Sequence, residues 1–212
     1  MKKCFIVGAG DFFGLSLRPE SGDLVIAADG GYDHLKSAGV EPDMVVGDFD
    51  SRAGEIPDHP NVICLNVQKD DTDIAHSVGI GLERGYKDFR IFGGTGGRES
   101  HTIANIQTLT GLAEKGARGW LYGKDSVMTV IHNDTLCISA EEEGMVSIFA
   151  LSDRAEGVDI LNMKYTMKNG VMTNNITLGV SNMLIGEEAE ITVRNGSLLV
   201  IHECKEREFE RN

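Results

Sequence analysis

Several short stretches of this 212-residue chain carry side chains suited to metal and phosphate chemistry. Ala27-Ala28-Asp29-Gly30-Gly31 closes an apolar run, and its glycines let the backbone approach a ligand with no Cβ in the way. Gly47-Asp48-Phe49-Asp50-Ser51 closes another. In extended geometry Asp48 and Asp50 would point to one side, because strand side chains repeat every two residues. Lys69-Asp70-Asp71-Thr72-Asp73 opens a helix, where each Asp or Thr taken singly reads as a cap or as a partner of the helix dipole. Carboxylates delivered together from three strand ends would repel one another, and a cation removes that penalty. All-oxygen donors without nearby Cys or His favour Mg²⁺ or Mn²⁺ over zinc. Because Mg²⁺ binds through a few carboxylates plus substrate phosphates, such a site points to a nucleotide.

Gly93-Gly94-Thr95-Gly96-Gly97-Arg98 precedes a further helix. Glycines at a helix N-terminus expose amides to an anion and Arg98 adds a bidentate grip; a tight turn is the equal alternative for the stretch alone. No GxxxxGK[ST] loop occurs, which excludes a P-loop enzyme, and Gly8-Ala9-Gly10 falls short of a full dinucleotide fingerprint. His101 and Asn105 stand four apart on the helix after Arg98, placing both towards one cleft or in an ordinary surface or core pair. Gly179-Val180-Ser181-Asn182 reads by itself as a polar loop.

These residues need elements to position them. Apolar runs at 4–7, 24–28, 44–46, 62–65, 89–92 and 120–122 lack in/out alternation, as strands of a parallel sheet covered on both faces do. Between them, Ile74, Val78 and Leu82 make a helical stripe over 73–84, and Ile103, Ile106, Leu109 and Ala113 make another over 100–115. Past Gly123 the chain changes to strands separated by turn signals, with Asn169-Gly170 and Asn195-Gly196 as hairpin candidates. The expected fold is an α/β N-terminal domain with a mostly parallel, Rossmann-like sheet (1–123) plus an all-β sandwich or barrel (124–212). Ligands of the first part would gather at the carboxyl ends of its strands.

Composition narrows the function. Hydrophobic residues at 41% and charged residues at 25% suit a folded protein, and the formal charge of −13 opposes binding to nucleic acid or an anionic membrane. No segment is long and apolar enough to cross a bilayer and no signal peptide is evident, so a cytoplasmic location is expected. Cys4, Cys64, Cys137 and Cys204 show neither zinc nor disulfide spacing and read as reduced, mostly buried thiols.

Taken together, the Asp29-Gly30-Gly31, Gly47-to-Ser51, Lys69-to-Asp73, Gly96-Gly97-Arg98, His101, Asn105 and Ser181-Asn182 motifs resemble thiamine pyrophosphokinase in order and spacing over nearly the whole chain. The resemblance implies transfer of pyrophosphate from ATP to the hydroxyethyl group of thiamine, giving thiamine diphosphate and AMP, with Mg²⁺ required. It implies a homodimer whose active sites lie between subunits. On this chain Asp48, Asp50 and Asp73 would bind the metal and act in catalysis. Asp29, Gly30, Lys69, Asp70, Thr72, Arg98 and His101 would hold the nucleotide, and Asn105, Ser181 and Asn182 the thiamine. The family pattern x-Asp-His after Gly-Gly-Arg is Glu99-Ser100-His101 here, and the single tryptophan, Trp120, lies outside the late region where some members stack one on the pyrimidine. Competing readings are a pyrophosphokinase for another heterocyclic alcohol such as a pterin, a metal-dependent phosphohydrolase in which the aspartates activate water, and a binding module without catalysis.

Overall fold

The expected apolar runs all form strands in the computed structural model, which describes residues 1–15, 18–49, 57–66 and 71–203. The first part runs β1 (Lys3–Val7), β2 (Leu24–Ala28), α1 (Gly31–Ser37), β3 (Met44–Gly47), β4 (Val62–Cys64), α2 (Asp73–Glu83), β5 (Asp88–Phe92), α3 (Glu99–Glu114) and β6 (Arg118–Tyr122). The second continues with β7 (Ser126–His132), β8 (Thr135–Ile138), β9 (Met145–Ala150), β10 (Arg154–Leu161), β11 (Met167–Thr173), β12 (Gly179–Met183), β13 (Ala189–Thr192) and β14 (Ser197–Glu203).

Among the described residues these strands make two sheets. Ten strands lie in the order β12-β9-β14-β7-β6-β5-β1-β2-β3-β4, and four in the order β11-β10-β13-β8. Neighbours from β6 through β5, β1, β2 and β3 to β4 are parallel, whereas every pairing from β6–β7 onwards is antiparallel. The Rossmann-like expectation holds only loosely. No helix is seen among the described residues of the β1–β2 and β3–β4 connections, so the regular βα alternation is incomplete.

The two faces of the large sheet have different covers. Cys4, Ile6, Ile26, Met44, Phe89, Ile91 and Leu121 pack against Ile74 and Val78 of α2 and Leu109 and Leu112 of α3. On the opposite face Phe5, Val7, Ala27, Val45 and Phe92 pack against Tyr32 and Leu35 of α1. Further along that face Ile131, Val146, Ile148, Leu198 and Val200 meet Leu136, Val158, Ile160, Ala189 and Ile191 of the small sheet. Full burial of each Val, Leu, Ile, Phe or Met among them contributes roughly 1.5–3 kcal/mol. The second half is thus an antiparallel sandwich.

Four sequence expectations change. Ile103 is 59% exposed, and the inward stripe of α3 is Asn105, Leu109 and Leu112, which includes a polar residue that no hydrophobic pattern selects. Asn169-Gly170 lies inside β11, where Asn169 takes φ +49 beside register shifts of the β10–β11 pair, so it marks an irregular strand instead of a hairpin. Asn195-Gly196 does turn the chain, but from β13 in the small sheet to β14 in the large one. Such a signal fixes a left-handed backbone and leaves the pairing of the flanking strands open. Finally, Cys4 is buried whereas Cys64 and Cys137 are exposed.

Candidate active site

The carboxyl ends of β2 and β3 come together through backbone. Asp29 adopts φ +50, a conformation that Asp tolerates, and its amide donates to the Val46 carbonyl at 2.8 Å. A Cβ on Gly47 would stand 3.0 Å from the Asp29 Cα, so this close approach requires glycine. One carboxylate oxygen of Asp29 is buried. Asp48 follows directly, half-buried.

Phe49 then takes φ +55 while only 2% exposed, packed in the cluster with Val7, Ala27 and Val45. A bulky residue in that region stores about 1–3 kcal/mol of strain, which the surrounding packing must hold. β3 ends at Gly47 and Phe49 is left-handed, so the strand does not continue in extended form through Phe49. Asp50 lies outside the described residues, as do Lys69 and Asp70.

α2 brings the next carboxylate. Thr72, in extended conformation, accepts from the Ala75 amide through its hydroxyl at 3.2 Å and so caps the helix. Asp73 opens the first turn, half-buried, with its carbonyl accepting from the Ser77 hydroxyl at 2.7 Å. The neighbouring Ile74 packs on Gly8, where a Cβ would come within 2.6 Å of it, which sets Asp73 at the end of β1.

The glycine loop after β5 is stitched to the loop after β1. The amides of Gly8, Gly10 and Asp11 donate to the carbonyls of Phe92, Gly93 and Thr95 at 2.8, 2.8 and 2.9 Å, extending the β1–β5 pairing beyond the strands. From behind, the buried Asn105 amide nitrogen donates to Gly94 O at 2.7 Å. Asn105 therefore fastens the loop, while His101, one turn earlier, is exposed. Arg98 is the residue that precedes the helix and is also exposed. Gly30 opens α1 just after Asp29.

Ser181 and Asn182 lie at the other end of the sheet. Ser181 is exposed with φ +58, at a register shift between β12 and β9, and its amide donates to Ser147 Oγ at 3.1 Å. Asn182 is 4% exposed. Its Oδ1 accepts from the amides of Tyr165 and Met183, both at 2.9 Å, and its Nδ2 donates to the Tyr165 carbonyl at 2.7 Å. It clamps the segment carrying Tyr165, an aromatic residue that is 61% exposed and that no sequence spacing singles out. Eight strand intervals separate β12 from β3. At about 4.8 Å each, this amounts to roughly 38 Å along the sheet.

The structure thus gathers Asp29, Asp48, Asp73 and the Gly93–Arg98 loop on one edge and leaves Ser181-Asn182 remote from them within the chain. Among the described residues no group of three or more metal-ligating side chains converges. None of the helices among them is long and apolar enough to cross a membrane.

An acidic, glycine-lined edge of a parallel sheet joined to an antiparallel sandwich defines a two-part enzyme of the phosphate-handling class. The sequence matches "Thiamin pyrophosphokinase, catalytic domain" over residues 18–121 and "Thiamin pyrophosphokinase, vitamin B1 binding domain" over residues 134–198. The chain belongs to the thiamine pyrophosphokinase family. It is 28% identical over 184 residues to the thiamine pyrophosphokinase of Bacillus subtilis, covering 84% of this chain and 86% of that one. The crystal structure of the thiamine pyrophosphokinase from Bacillus subtilis superposes with a TM-score of 0.86 at 27% identity, over 96% of this chain and 100% of that one. The thiamin pyrophosphokinase from Geobacillus thermodenitrificans gives 0.82 at 25% identity, over 96% and 98%. That from Candida albicans, at 15% identity and 0.79 over 96% and 89%, shares the fold.

Proposed function

We propose that the enzyme transfers a pyrophosphoryl group from ATP to the hydroxyethyl group of thiamine, yielding thiamine diphosphate and AMP. The observation that carries this reading is the delivery of Asp29, Asp48 and Asp73 by three separate elements to one edge, beside the glycine loop that leads to Arg98. We assign residues 1–123 to nucleotide binding and catalysis, and 124–212 to thiamine binding and dimerisation.

An alcohol is a weak nucleophile, so it must be held in line with the β-phosphorus and lose its proton as the bond forms. Asp48 or Asp73 accepts that proton. Arg98 and the amides at the start of the 16-residue helix α3 hold phosphate oxygens and spread the charge growing on the departing AMP. Asp29, Gly30, Lys69, Asp70, Thr72 and His101 complete the nucleotide site, with Thr72 also capping its helix. Asn105 acts by fixing the glycine loop. The hard carboxylate oxygens of Asp48, Asp50 and Asp73 suit Mg²⁺, which when bound would offset the charge of the polyphosphate.

The distance along the sheet supports a homodimer in which the aspartate edge of one chain faces Ser181-Asn182 of its partner. Apolar side chains on and around the β12 edge, among them Ile176, Leu178, Val180, Met183 and Ile185, are 42–62% exposed and suit burial between chains. Cys4, Cys64 and Cys137 are free thiols, in keeping with a reducing cytoplasm.

Incubation with Mg-ATP and thiamine, followed by product identification, tests the reaction. AMP with thiamine diphosphate is expected. ADP with a monophosphate ester, or phosphate released without thiamine, overturns it.

A further inference from the structure

The edge of the sheet opposite the aspartates holds a cavity of about 520 Å³ between the starts of β5 and β6 and the far end of β7. The length of β5, roughly 13 Å, separates it from the glycine loop. Lys87, Arg90 and Arg118 line it against two carboxylates, Asp88 and Asp134. Although the chain has a formal charge of −13, side-chain cations outnumber carboxylates in the lining of this cavity.

The two guanidiniums differ. Arg90 is fully committed: Nε and Nη2 donate to Asp88 at 2.8 and 3.0 Å, Nη1 donates to the Tyr122 hydroxyl at 2.8 Å, and its centre sits 5.2 Å from the Trp120 ring centroid. Arg118 donates through Nη2 to Asp134 at 2.5 Å, but its Nη1 is buried with no acceptor among the described residues. Buried guanidinium donors are normally satisfied, so a small turn of this side chain towards an oxygen-rich ligand is favoured. Lys87, exposed, donates through Nζ to the Lys115 carbonyl at 3.3 Å and adds a charge that neither lining carboxylate matches, with two further N–H donors open to a ligand. The half-buried Trp120 offers an aromatic wall fixed by Arg90. The volume is in the range of small-molecule sites.

We propose that this cavity binds a phosphomonoester carrying a planar ring, with phosphate oxygens on Arg118 Nη1 and Lys87 Nζ and the ring against Trp120. Two cationic groups lining one cavity suit a dianion with three acceptor oxygens better than a carboxylate. The site is separate from the catalytic edge and needs no residue assigned there.

Trp120 is the single tryptophan of the chain, so intrinsic fluorescence reports on this cavity directly. Titration of the full-length protein with uridine 5′-monophosphate should give a saturable change with Kd below about 1 mM. Uridine alone and inorganic phosphate alone should bind at least about tenfold more weakly. Arg118→Met and Lys87→Met should each weaken the nucleotide response about tenfold, while Asp48→Asn leaves it unchanged. The exposed Lys87→Met keeps the test decisive if Arg118→Met unfolds through loss of Asp134. Absence of a saturable change, its retention in Lys87→Met, its reproduction by uridine alone, or its loss in Asp48→Asn would each overturn the proposal.

Discussion

The two halves of the molecule solve the same problem, holding irregular backbone in place, by different means. Around the aspartates the loops are held by main chain on main chain. Gly31 lies so close to the Val7 carbonyl that any Cβ would overlap it, Gly47 seats Asp29, and Gly8, Gly10 and Gly93 interlock. In the second half the irregular backbone is held by polar side chains. Asn182 clamps Tyr165, Asp159 accepts from the Asn169 amide at 2.6 Å, and Asn133 Oδ1 accepts from the Gly196 amide at 2.8 Å. The first scheme builds the loops mainly from backbone, with the Asn105 amide on Gly94 and the Thr72 hydroxyl on Ala75 as its side-chain ties. In the second, the polar residues themselves are the scaffold, so a change of Asn182 releases the backbone around Tyr165.

That contrast can be broken or sharpened by substitution. The largest effect is expected at the catalytic edge. Asp48→Asn and Asp73→Asn should each lower kcat by about 10²–10⁴ with an unchanged melting curve; near-normal turnover in both would remove these residues from the chemistry. Next, Gly31→Ala should destabilise the fold by about 2–4 kcal/mol in chemical denaturation, because α1 must move off β1. Tolerance of alanine would mean that the main-chain contact is not what holds this edge. Asn182→Ala removes three hydrogen bonds to backbone, two accepted and one donated. It should raise the KM for thiamine about tenfold or more while moving that for ATP little. Equal changes for both ligands would deny the two ends distinct roles.

The smallest effect concerns Asp159. The Asn169 amide, then the Arg194 guanidinium, hold its carboxyl below the usual carboxylate range. A depressed folded value means that the stabilisation is present above the ordinary carboxylate pKa and is lost as pH falls through the lowered one. Asp159→Asn should therefore melt earlier than the parent at neutral pH, with the two curves converging in strong acid. A gap that widens on acidification would contradict this assignment.

The same contrast explains what could be read from sequence. Strands β1 to β3 are legible because parallel strands buried on both faces are almost uniformly apolar, β4 to β6 as shorter apolar runs with Arg90 inside β5, and Ile74 and Val78 of α2 keep helical spacing. α1 was not, since Tyr32 and Leu35 are its only large buried residues and its position depends on Gly31. Among site residues, the aspartates announce themselves by type and placement at strand ends. Asn105 and Asn182 are named by helical spacing and by the family resemblance, but their burial is not legible, because each amide answers a backbone group distant in sequence. Asn169-Gly170 and Asn195-Gly196 show the limit of turn signals, which specify a left-handed residue but not which strands pair. The strain at Phe49 depends on the packing around it and has no sequence signature.

In the proposed dimer the aspartate edge of one chain and the Ser181-Asn182 end of another serve a single reaction. Asp48→Asn and Asn182→Ala chains, each poorly active alone at thiamine well below the KM of the Asn182→Ala variant, can be unfolded together, refolded and assayed at that concentration. Random pairing should restore about a quarter of wild-type activity, because half of the dimers then contain one intact site of two. Activity no greater than the sum of the separate variants, from a mixture shown to have exchanged chains, would contradict a site shared between subunits.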